Sequence, residues 1–164
     1  MLIKVDLDSL DFLQLKAVYA EGIEENGAYF YPNESKEEQL ALSARDFWEY
    51  LTSNYFLAPE NRYWIWTESE QYISALRLEA HSDGLLLEAL ETRPGFRQMG
   101  FAKKLMDAAL KQLPAGTKVY SQVSRHNAAS LATHNSCGFS KLMDFAVDLD
   151  GTIVKEDITL CKIT

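Results

Sequence analysis

The stretch RPGFRQMGFAKKLM (residues 93–106) decides the fold prediction, because it places a glycine-bearing turn directly before a helix. It contains four basic residues and no acidic one, although the chain as a whole carries a formal net charge of −8. Lys103 and Lys104 fall at the predicted helix start, where the positive pole of the helix dipole disfavours cations. Unpaired backbone N–H groups after Gly95 and Gly100 would form an anion site there, and a bound anion would explain both lysines. A plain turn with solvated lysines is the alternative interpretation.

Composition and length limit the class of protein. The 164 residues, 47% apolar and 24% charged, predict one soluble globular domain spanning residues 1–164. The acidic balance argues against nucleic acid as a partner, and neither a signal peptide nor a membrane-spanning run is recognisable. Cys137 and Cys161 have no metal-ligand or disulfide spacing, and the histidines do not extend them into a metal site. We therefore expect a cytoplasmic protein without a metal.

The remaining sequence predicts an α/β (α+β) fold with a mixed sheet of about seven strands, in the order β-α-α-β-β-β-α-β-α-β-β. Helices are predicted at 8–25, at 35–56 with Ser35 and Glu38 as a capping box, after 100, and at 127–138. The stretch 27–35 is predicted as an aromatic-rich loop. Strands are predicted at 2–7, 62–68, 71–80, 84–93, 118–123, 141–149 and 153–163, the last two as a hairpin around Asp150-Gly151.

Two common anion-binding motifs do not fit the opening stretch. Gly95 and Gly100 have the spacing of a P-loop, but Phe101-Ala102 stands where Lys-Ser or Lys-Thr is needed. The dinucleotide fingerprint is absent, and the element order is not that of a doubly wound sheet.

Two motifs resemble those of the GNAT superfamily of acyl-CoA-dependent N-acetyltransferases. RQMGFA (97–102) resembles the Arg/Gln-x-x-Gly-x-Gly/Ala signature, whose backbone amides cradle the pyrophosphate of coenzyme A in that family. NAASLATHNSCGF (127–139) is similar to a second family block, with Asn127, Ser130 and Gly138-Phe139 in register. The element order also resembles that of the family, including two helices before the second strand.

The resemblance implies acetyl-CoA as cosubstrate and assigns residues to it. Two strand residues match positions whose backbone groups bind the acetyl carbonyl and the pantetheine arm, six match the pyrophosphate loop, and Asn127 matches a pantetheine contact. The expected cofactor-binding residues are Leu90, Thr92, Arg97, Gln98, Met99, Gly100, Phe101, Ala102, Asn127 and Ser130.

His134 stands where members of the family often have a tyrosine that protonates the departing thiolate. Asn127, Ser130 and His134 are spaced at i, i+3 and i+7, so they share one helix face, which should look at the cofactor. A histidine with an ordinary pKa near 6.5 can serve as that general acid. Cys137 is an unsuitable nucleophile, because its place in the motif is normally apolar and packed.

An amine must lose its proton before it attacks a thioester, and a carboxylate, or a water held by one, is the usual base. Glu88 and Glu91 flank Leu90, and Glu79 on the preceding strand is a third candidate. Side-chain alternation places Glu88 and Glu91 on opposite faces unless a bulge re-aims one of them. Solvated carboxylates are the alternative for any single one, and a strand N–H near Leu90 is expected to stabilise the oxyanion.

The sequence thus predicts an N-acetyltransferase that uses acetyl-CoA and a primary amine in a ternary complex. The aromatic residues at 29–31 are expected near the acceptor. Trp64 and Trp66 are expected either near the acceptor or in the core. Glu24 and Glu25 would suit a cationic amine or a peptide N-terminus. The alternatives are a non-catalytic module that binds coenzyme A or another partner, and an enzyme for longer acyl-CoA. A homodimer is left open.

Overall fold

A computed structural model describes residues 1–147 and 151–164. The strands in this part of the chain are β1 (Leu2–Val5), β2 (Arg62–Glu68), β3 (Gln71–His81), β4 (Gly84–Thr92), β5 (Lys118–Ser124), β6 (Ser140–Met143), β7 (Ala146–Val147), β8 (Ile153–Val154) and β9 (Asp157–Ile163). The α-helices are α1 (Phe12–Val18), α2 (Ala20–Phe30), α3 (Lys36–Ser53), α4 (Phe101–Leu110) and α5 (Ala128–Ser136), and a 3-10 turn covers Tyr55–Leu57.

The predicted mixed sheet is confirmed as seven strands in the order β1-β2-β3-β4-β5-β9-β6, and β7 pairs with β8 separately. Strands β4 and β5 are parallel and their neighbours in the sheet are antiparallel. Helix α4 covers one face with Leu105, Met106 and Ala109. Helices α1 to α3 cover the other face, where Leu15 and Leu51 are buried. The apolar spacing within each helix thus gives a core on both faces of the sheet.

A β-bulge interrupts β4 in its second half. Ala75 pairs with Glu91 and Arg77 pairs with Glu88, so three steps along β4 oppose two along β3. The additional residue lies at Ala89, whose φ is +49°. Cross-strand partners share a sheet face, so the bulge turns Glu88 and Glu91 toward the same face, that of the first three helices.

The parallel strands β4 and β5 separate beyond the middle of the sheet. Their pairing spans Leu85–Leu87 and Val119–Ser121, whereas β4 continues to Thr92 and β5 to Ser124. Ser121 Oγ donates to the Leu87 carbonyl at 3.2 Å where the pairing ends. The opening that follows lies in front of α4.

The first predicted helix, 8–25, is divided at Tyr19 into α1 and α2. The buried Tyr19 side chain donates a hydrogen bond to the Ala89 carbonyl at 2.7 Å and accepts one from Tyr63 at 3.0 Å. These contacts with the sheet coincide with the interruption and are not visible in the helical period. The capping box of Ser35 and Glu38 at the start of α3 is confirmed.

The prediction of a loop over 27–35 is wrong for its first part, because α2 continues through Phe30. Gly27, the first residue of the predicted loop, lies within α2 and permits close packing. A Cβ at this position would lie 2.7 Å from the carbonyl oxygen of Gln39 in α3. The glycine therefore permits the two helices to approach one another.

Gly27→Ala is expected to lower the free energy of unfolding by about 1–3 kcal/mol, because the backbone of α3 must move to accept the methyl group. Gly22→Ala is the matched control in the same helix, where a Cβ would meet no atom within 4 Å among the described residues. The control should be neutral or stabilise by up to about 1 kcal/mol through helix propensity. Urea denaturation measures both values, and equal effects at the two positions would contradict the packing role of Gly27.

The C-terminal hairpin is predicted as two long strands, but the structure interrupts both. Strand β6 pairs with β9, and β7 pairs with β8, which leaves bends near Asp144 and Lys155. Arg125 bridges these bends, because its Nε donates to the Lys155 carbonyl at 2.7 Å and its Nη2 donates to the Asp144 carbonyl. The predicted turn begins at Asp150, which lies outside the described residues.

Within residues 1–147 and 151–164, no helix is both long and apolar enough to cross a membrane.

Candidate functional site

A cavity of about 630 Å³ opens where β4 and β5 separate, and we call it the β4–α4 cavity. It is lined by the end of β4, the loop after it and the first turns of α4 and α5. The structure brings nine of the ten expected cofactor-binding residues to its wall: Leu90, Thr92, Arg97, Gln98, Gly100, Phe101, Ala102, Asn127 and Ser130. Met99 instead projects outward and is 59% exposed.

The start of α4 presents backbone donors to this cavity. Gly100 is the N-cap residue in a left-handed conformation with φ of +79°, and within the described residues no side chain caps the helix. Because the first turn of an α-helix has no internal partners for its N–H groups, these donors and the helix dipole favour an anion. The geometry fits a phosphate group.

The lysines at this helix start have different surroundings. Lys103 lines the cavity and donates to the Asp107 carboxylate one turn along α4. Lys104 lies over the Phe101 ring, with its Nζ 4.8 Å from the ring centroid. Of the two lysines expected to face an anion, Lys103 therefore lines the cavity and Lys104 does not.

Arg97 connects the loop to α2. Its Nη1 donates to Glu21 at 2.6 Å, its Nε donates to the Thr92 carbonyl at 3.2 Å, and its Nη2 lies 3.5 Å from Glu91 Oε2. Glu21 also lines the cavity. An anion that binds Arg97 must therefore compete with a carboxylate that already occupies one side of the guanidinium.

Helix α5 contributes its N-terminal turn to the β4–α4 cavity. The Oδ1 of Asn127 accepts a hydrogen bond from the Ser130 N–H at 3.0 Å, which confirms the capping prediction. Both residues line the cavity, so the side chain that caps the helix is also available to a bound molecule.

The structure places His134 in the interior, which corrects the expectation that it faces the cofactor. It lies one turn deeper than Ser130, is 2% exposed and packs edge-to-face on Phe139 at 5.1 Å. Its Nδ1 lies 2.8 Å from the Ser130 carbonyl, and its Nε2 is buried without a partner in the described part of the chain. Burial, opposed by the Ser130 contact, lowers the pKa of His134. Asn127 and Ser130 on the same helix face line the cavity, but Phe139 packs against this face at His134.

A second cavity of about 790 Å³ lies between α2 and α3, over the bulge of β4, and we call it the α2–α3 cavity. Its wall combines aromatic, apolar and polar side chains with one arginine: Tyr19, Gly22, Ile23, Asn26, Phe30, Tyr31, Ser43, Asp46, Phe47, Tyr50, Arg77 and Ala89. Phe30 and Tyr31 were expected from the sequence to lie near an acceptor, whereas Arg77 was not. An arginine among the apolar residues of ISALRL (73–78) was the signal that could have found it.

Other residues expected near an acceptor lie elsewhere. Trp64 is buried in the core beneath α4, and Trp66 packs against that core, as the alternative interpretation had it. Tyr29 is exposed and stacks edge-to-face on Phe30 at 4.9 Å. Glu24 forms an ion pair with Lys36 at 2.7 Å, and neither Glu24 nor Glu25 lines the β4–α4 cavity or the α2–α3 cavity.

The three candidate carboxylates differ in their surroundings. Glu88 Oε2 lies 3.4 Å from Arg77 Nη2, and Glu79 accepts a hydrogen bond from the Tyr50 hydroxyl at 2.8 Å. Burial, together with the nearby Glu79 carboxylate, raises the pKa of Glu88 to about 7. Burial, opposed by Arg97, also raises the pKa of Glu91, which lines the β4–α4 cavity. Of the three carboxylates, Glu88 thus has a pKa raised to about 7, and its partner Arg77 and its neighbour Ala89, though not Glu88 itself, line the α2–α3 cavity.

The cysteine in the second motif has no nucleophilic character. Cys137 is buried, and burial together with Asp107 raises the pKa of its thiol to about 11. No cluster of His, Cys, Asp and Glu with metal-ligand geometry is present in residues 1–147 and 151–164.

The walls of the two cavities contain neighbouring residues at the bulge. Ala89 lines the α2–α3 cavity, and the next residue, Leu90, lines the β4–α4 cavity. On α2, Gly22 lines the α2–α3 cavity and the preceding residue, Glu21, lines the β4–α4 cavity. Two molecules bound in the two cavities would therefore approach each other at Ala89 and Leu90.

Comparisons with known proteins agree with this geometry. A family model described as Acetyltransferase (GNAT) family matches residues 23–139. The search of curated protein sequences finds no match.

Solved structures with the same fold include several acetyltransferases. The PaiA N-acetyltransferase from Thermoplasma acidophilum in complex with coenzyme A has a TM-score of 0.66 and 15% sequence identity, with coverage of 100% of this chain and 98% of that chain. The ribosomal-protein-S18-alanine N-acetyltransferase from Escherichia coli has a TM-score of 0.58 and 19% identity, covering 99% and 94%. An aminoglycoside 6'-N-acetyltransferase complexed with coenzyme A has a TM-score of 0.61 and 13% identity, covering 99% and 96%.

Proposed function

Since the chain belongs to the acetyltransferase (GNAT) family, we propose that it transfers an acetyl group from acetyl-CoA to a primary amine by direct attack in a ternary complex. The single observation that carries the proposal is that Ala89 and Leu90, neighbours at the bulge of β4, line the two different cavities. One cavity has the donors for a phosphate-bearing cosubstrate, and the other has room for a small acceptor.

We assign acetyl-CoA to the β4–α4 cavity. Its pyrophosphate would accept hydrogen bonds from the backbone N–H groups after Gly100 and from Arg97, because both present donors on one side of the loop. The pantetheine arm would follow Thr92 and Leu90 on one side and Asn127 on the other. This path ends at the bulge, where the thioester would meet the acceptor.

We assign the general base to Glu88, acting directly or through one water. Its raised pKa suits a base that works near neutral pH, and the bulge turns it toward the face that carries the α2–α3 cavity. Glu91 instead lies at Arg97, so we assign it to positioning that arginine.

The bond changes follow from these positions. Once Glu88 has taken the proton, the amine nitrogen attacks the carbonyl carbon, and a backbone N–H near Leu90 stabilises the negative charge on the oxygen. The carbon–sulfur bond then breaks and the thiolate of coenzyme A leaves. The nitrogen, which is positively charged after the attack, loses one more proton to solvent and gives the neutral amide. Because His134 is buried away from the cavity wall, we assign protonation of the thiolate to solvent.

Release of free thiol from acetyl-CoA in the presence of a broad amine panel tests the proposal. We expect turnover with at least one amine, and intersecting initial-velocity lines because no acyl-enzyme forms. Butyryl-CoA at the same concentration distinguishes an enzyme for longer acyl groups. Binding of acetyl-CoA without thiol release across the panel would instead indicate the non-catalytic module.

A further inference from the structure

Arg77 has most of its hydrogen-bonding capacity unused at the wall of the α2–α3 cavity. A guanidinium has five N–H donors. Within residues 1–147 and 151–164 its one hydrogen bond runs from Nη2 to Glu88 at 3.4 Å, and its Nε is buried without a partner. The side chain is only 15% exposed. A buried cation with so few acceptors indicates that a partner is supplied from outside the protein.

The surroundings fix the orientation of the guanidinium without satisfying its donors. The Arg77 Cζ lies 4.9 Å from the centroid of the Tyr50 ring and 5.5 Å from that of Tyr55. Aromatic faces attract the cation but accept no strong hydrogen bonds. Glu88 is only a partial counterion near neutral pH, because burial and the neighbouring Glu79 raise its pKa to about 7 and both of its protonation states are populated there. Arg77 is thus preorganised for an additional anion.

Carboxylates and phosphates are the anions that a guanidinium binds through paired donors. Arg77 pairs across the sheet with Glu88, one residue before Ala89 in the bulge. A group bound to Arg77 would therefore lie close to the position assigned to the thioester. In an α-amino acid the amine and the carboxylate are attached to the same carbon, so a carboxylate on Arg77 would bring the amine toward both the bulge and Glu88.

The rest of the α2–α3 cavity suits an apolar group. Ile23, Phe30 and Phe47 form part of its wall. Asp46 is the acidic residue of that wall, and it already accepts a hydrogen bond from Tyr31 and pairs with Arg45 at 3.2 Å. A polyamine or aminoglycoside would place several positive charges near Arg77 with no free carboxylate among the lining residues described here.

We propose that the acceptor is an α-amino acid with a large apolar side chain, and that Arg77 binds its carboxylate. The inference rests on the proposed function, which assigns the α2–α3 cavity to the acceptor. It replaces the cationic amine expected from the acidic surface with an acceptor that carries one positive and one negative charge.

Matched acceptors test the carboxylate directly in the wild-type protein. We would measure kcat/KM by thiol release for phenylalanine, phenylalanine amide and 2-phenylethylamine, and for leucine and 3-methylbutylamine. Each amino acid should exceed its carboxylate-free counterpart by about 10- to 100-fold, the range expected when a hydrogen bond to a charged group is lost. Equal values, or a higher kcat/KM for spermidine or an aminoglycoside, would overturn the inference and leave the proposed acetyl transfer intact.

Arg77 variants connect that preference to the residue. In Arg77→Lys and Arg77→Met the ratio of kcat/KM between phenylalanine and 2-phenylethylamine should fall toward one, whereas Arg62→Met on β2 should keep the wild-type ratio. The ratio does not depend on the fraction of folded protein, so partial unfolding of a variant cannot imitate the effect. An unchanged ratio in both Arg77 variants would overturn the inference.

Calorimetric titration separates this inference from the proposed function. If no amine is acetylated, the proposed function fails. Binding of phenylalanine that is lost in Arg77→Lys and absent for 2-phenylethylamine would then still support the carboxylate site. Failure of phenylalanine to bind the wild-type protein, with or without coenzyme A, would overturn it.

Discussion

Arg97→Glu is expected to weaken acetyl-CoA binding by about 100-fold or more, since it removes a charge-assisted hydrogen bond and adds a repulsion. In the wild-type protein Arg97 lines the β4–α4 cavity beside the start of α4. The substitution would place a third carboxylate next to Glu21 and Glu91 and against the pyrophosphate. Titration calorimetry with acetyl-CoA measures the change in Kd.

Two further variants make this expectation specific. Arg45→Glu makes the same change of charge on α3, outside the β4–α4 cavity, and should leave the Kd unchanged. Glu21→Gln should strengthen binding, because Glu21 holds Arg97 at 2.6 Å and competes with the pyrophosphate for it. An unchanged Kd in Arg97→Glu would refute the assignment of the loop to pyrophosphate.

Glu88→Gln is expected to lower kcat/KM by about 10²- to 10⁴-fold, the usual contribution of a general base. In the wild-type protein the activity should rise with pH through about 7, because the pKa of Glu88 is raised to about 7 and only the ionised form accepts a proton. A pH–rate profile measures this rise, which we call the acidic limb. An acceptor of known amine pKa separates the acidic limb from titration of the amine.

Glu79→Gln tests whether the acidic limb of the pH–rate profile comes from Glu88. The Glu79 carboxylate raises the pKa of Glu88, so its removal should shift the limb to lower pH without abolishing activity. A limb that stays in place in Glu79→Gln, or activity that survives intact in Glu88→Gln, would exclude Glu88 as the base.

The stability of Glu88→Gln shows whether its loss of activity is a loss of fold. The pKa of Glu88 is higher in the folded protein than its ordinary value near 4.5, so its contribution to stability is present below pH 4.5 and is lost as the pH rises through about 7. Glutamine does not ionise, so the variant should gain stability relative to the wild type at pH 8 compared with pH 5. Inactivity together with that gain assigns the effect to catalysis.

The β4–α4 cavity was the predictable part of the site, because its chemistry depends on neighbours in sequence. Gly100, Phe101 and Ala102 lie at the start of α4, and their backbone N–H groups are the donors that we propose for the pyrophosphate. Asn127 and Ser130 are likewise three residues apart on one helix, and their capping contact is local.

The features that the sequence did not predict depend on contacts between residues that are far apart in the chain. The bulge at Ala89 is visible only when β3 and β4 are aligned, and it alone decides that Glu88 and Glu91 share a face. The helical period places His134 on the same helix face as Ser130, but it does not show that Phe139 packs against His134 and buries it. Gly27 lies in a stretch predicted as a loop, whereas a glycine is needed there because the backbone of α3 lies too close for a Cβ.

Acetyl-CoA is expected to stabilise the wild-type protein against thermal unfolding, because it binds only the folded state. Thermal unfolding with acetyl-CoA at about a hundred times its Kd should show roughly 2.7 kcal/mol of added stability. For a protein of this size that corresponds to a rise in Tm of roughly 5–10 °C. We expect such a rise in the wild-type protein and none in Arg97→Glu. An unchanged Tm of the wild-type protein at millimolar acetyl-CoA would contradict this expectation.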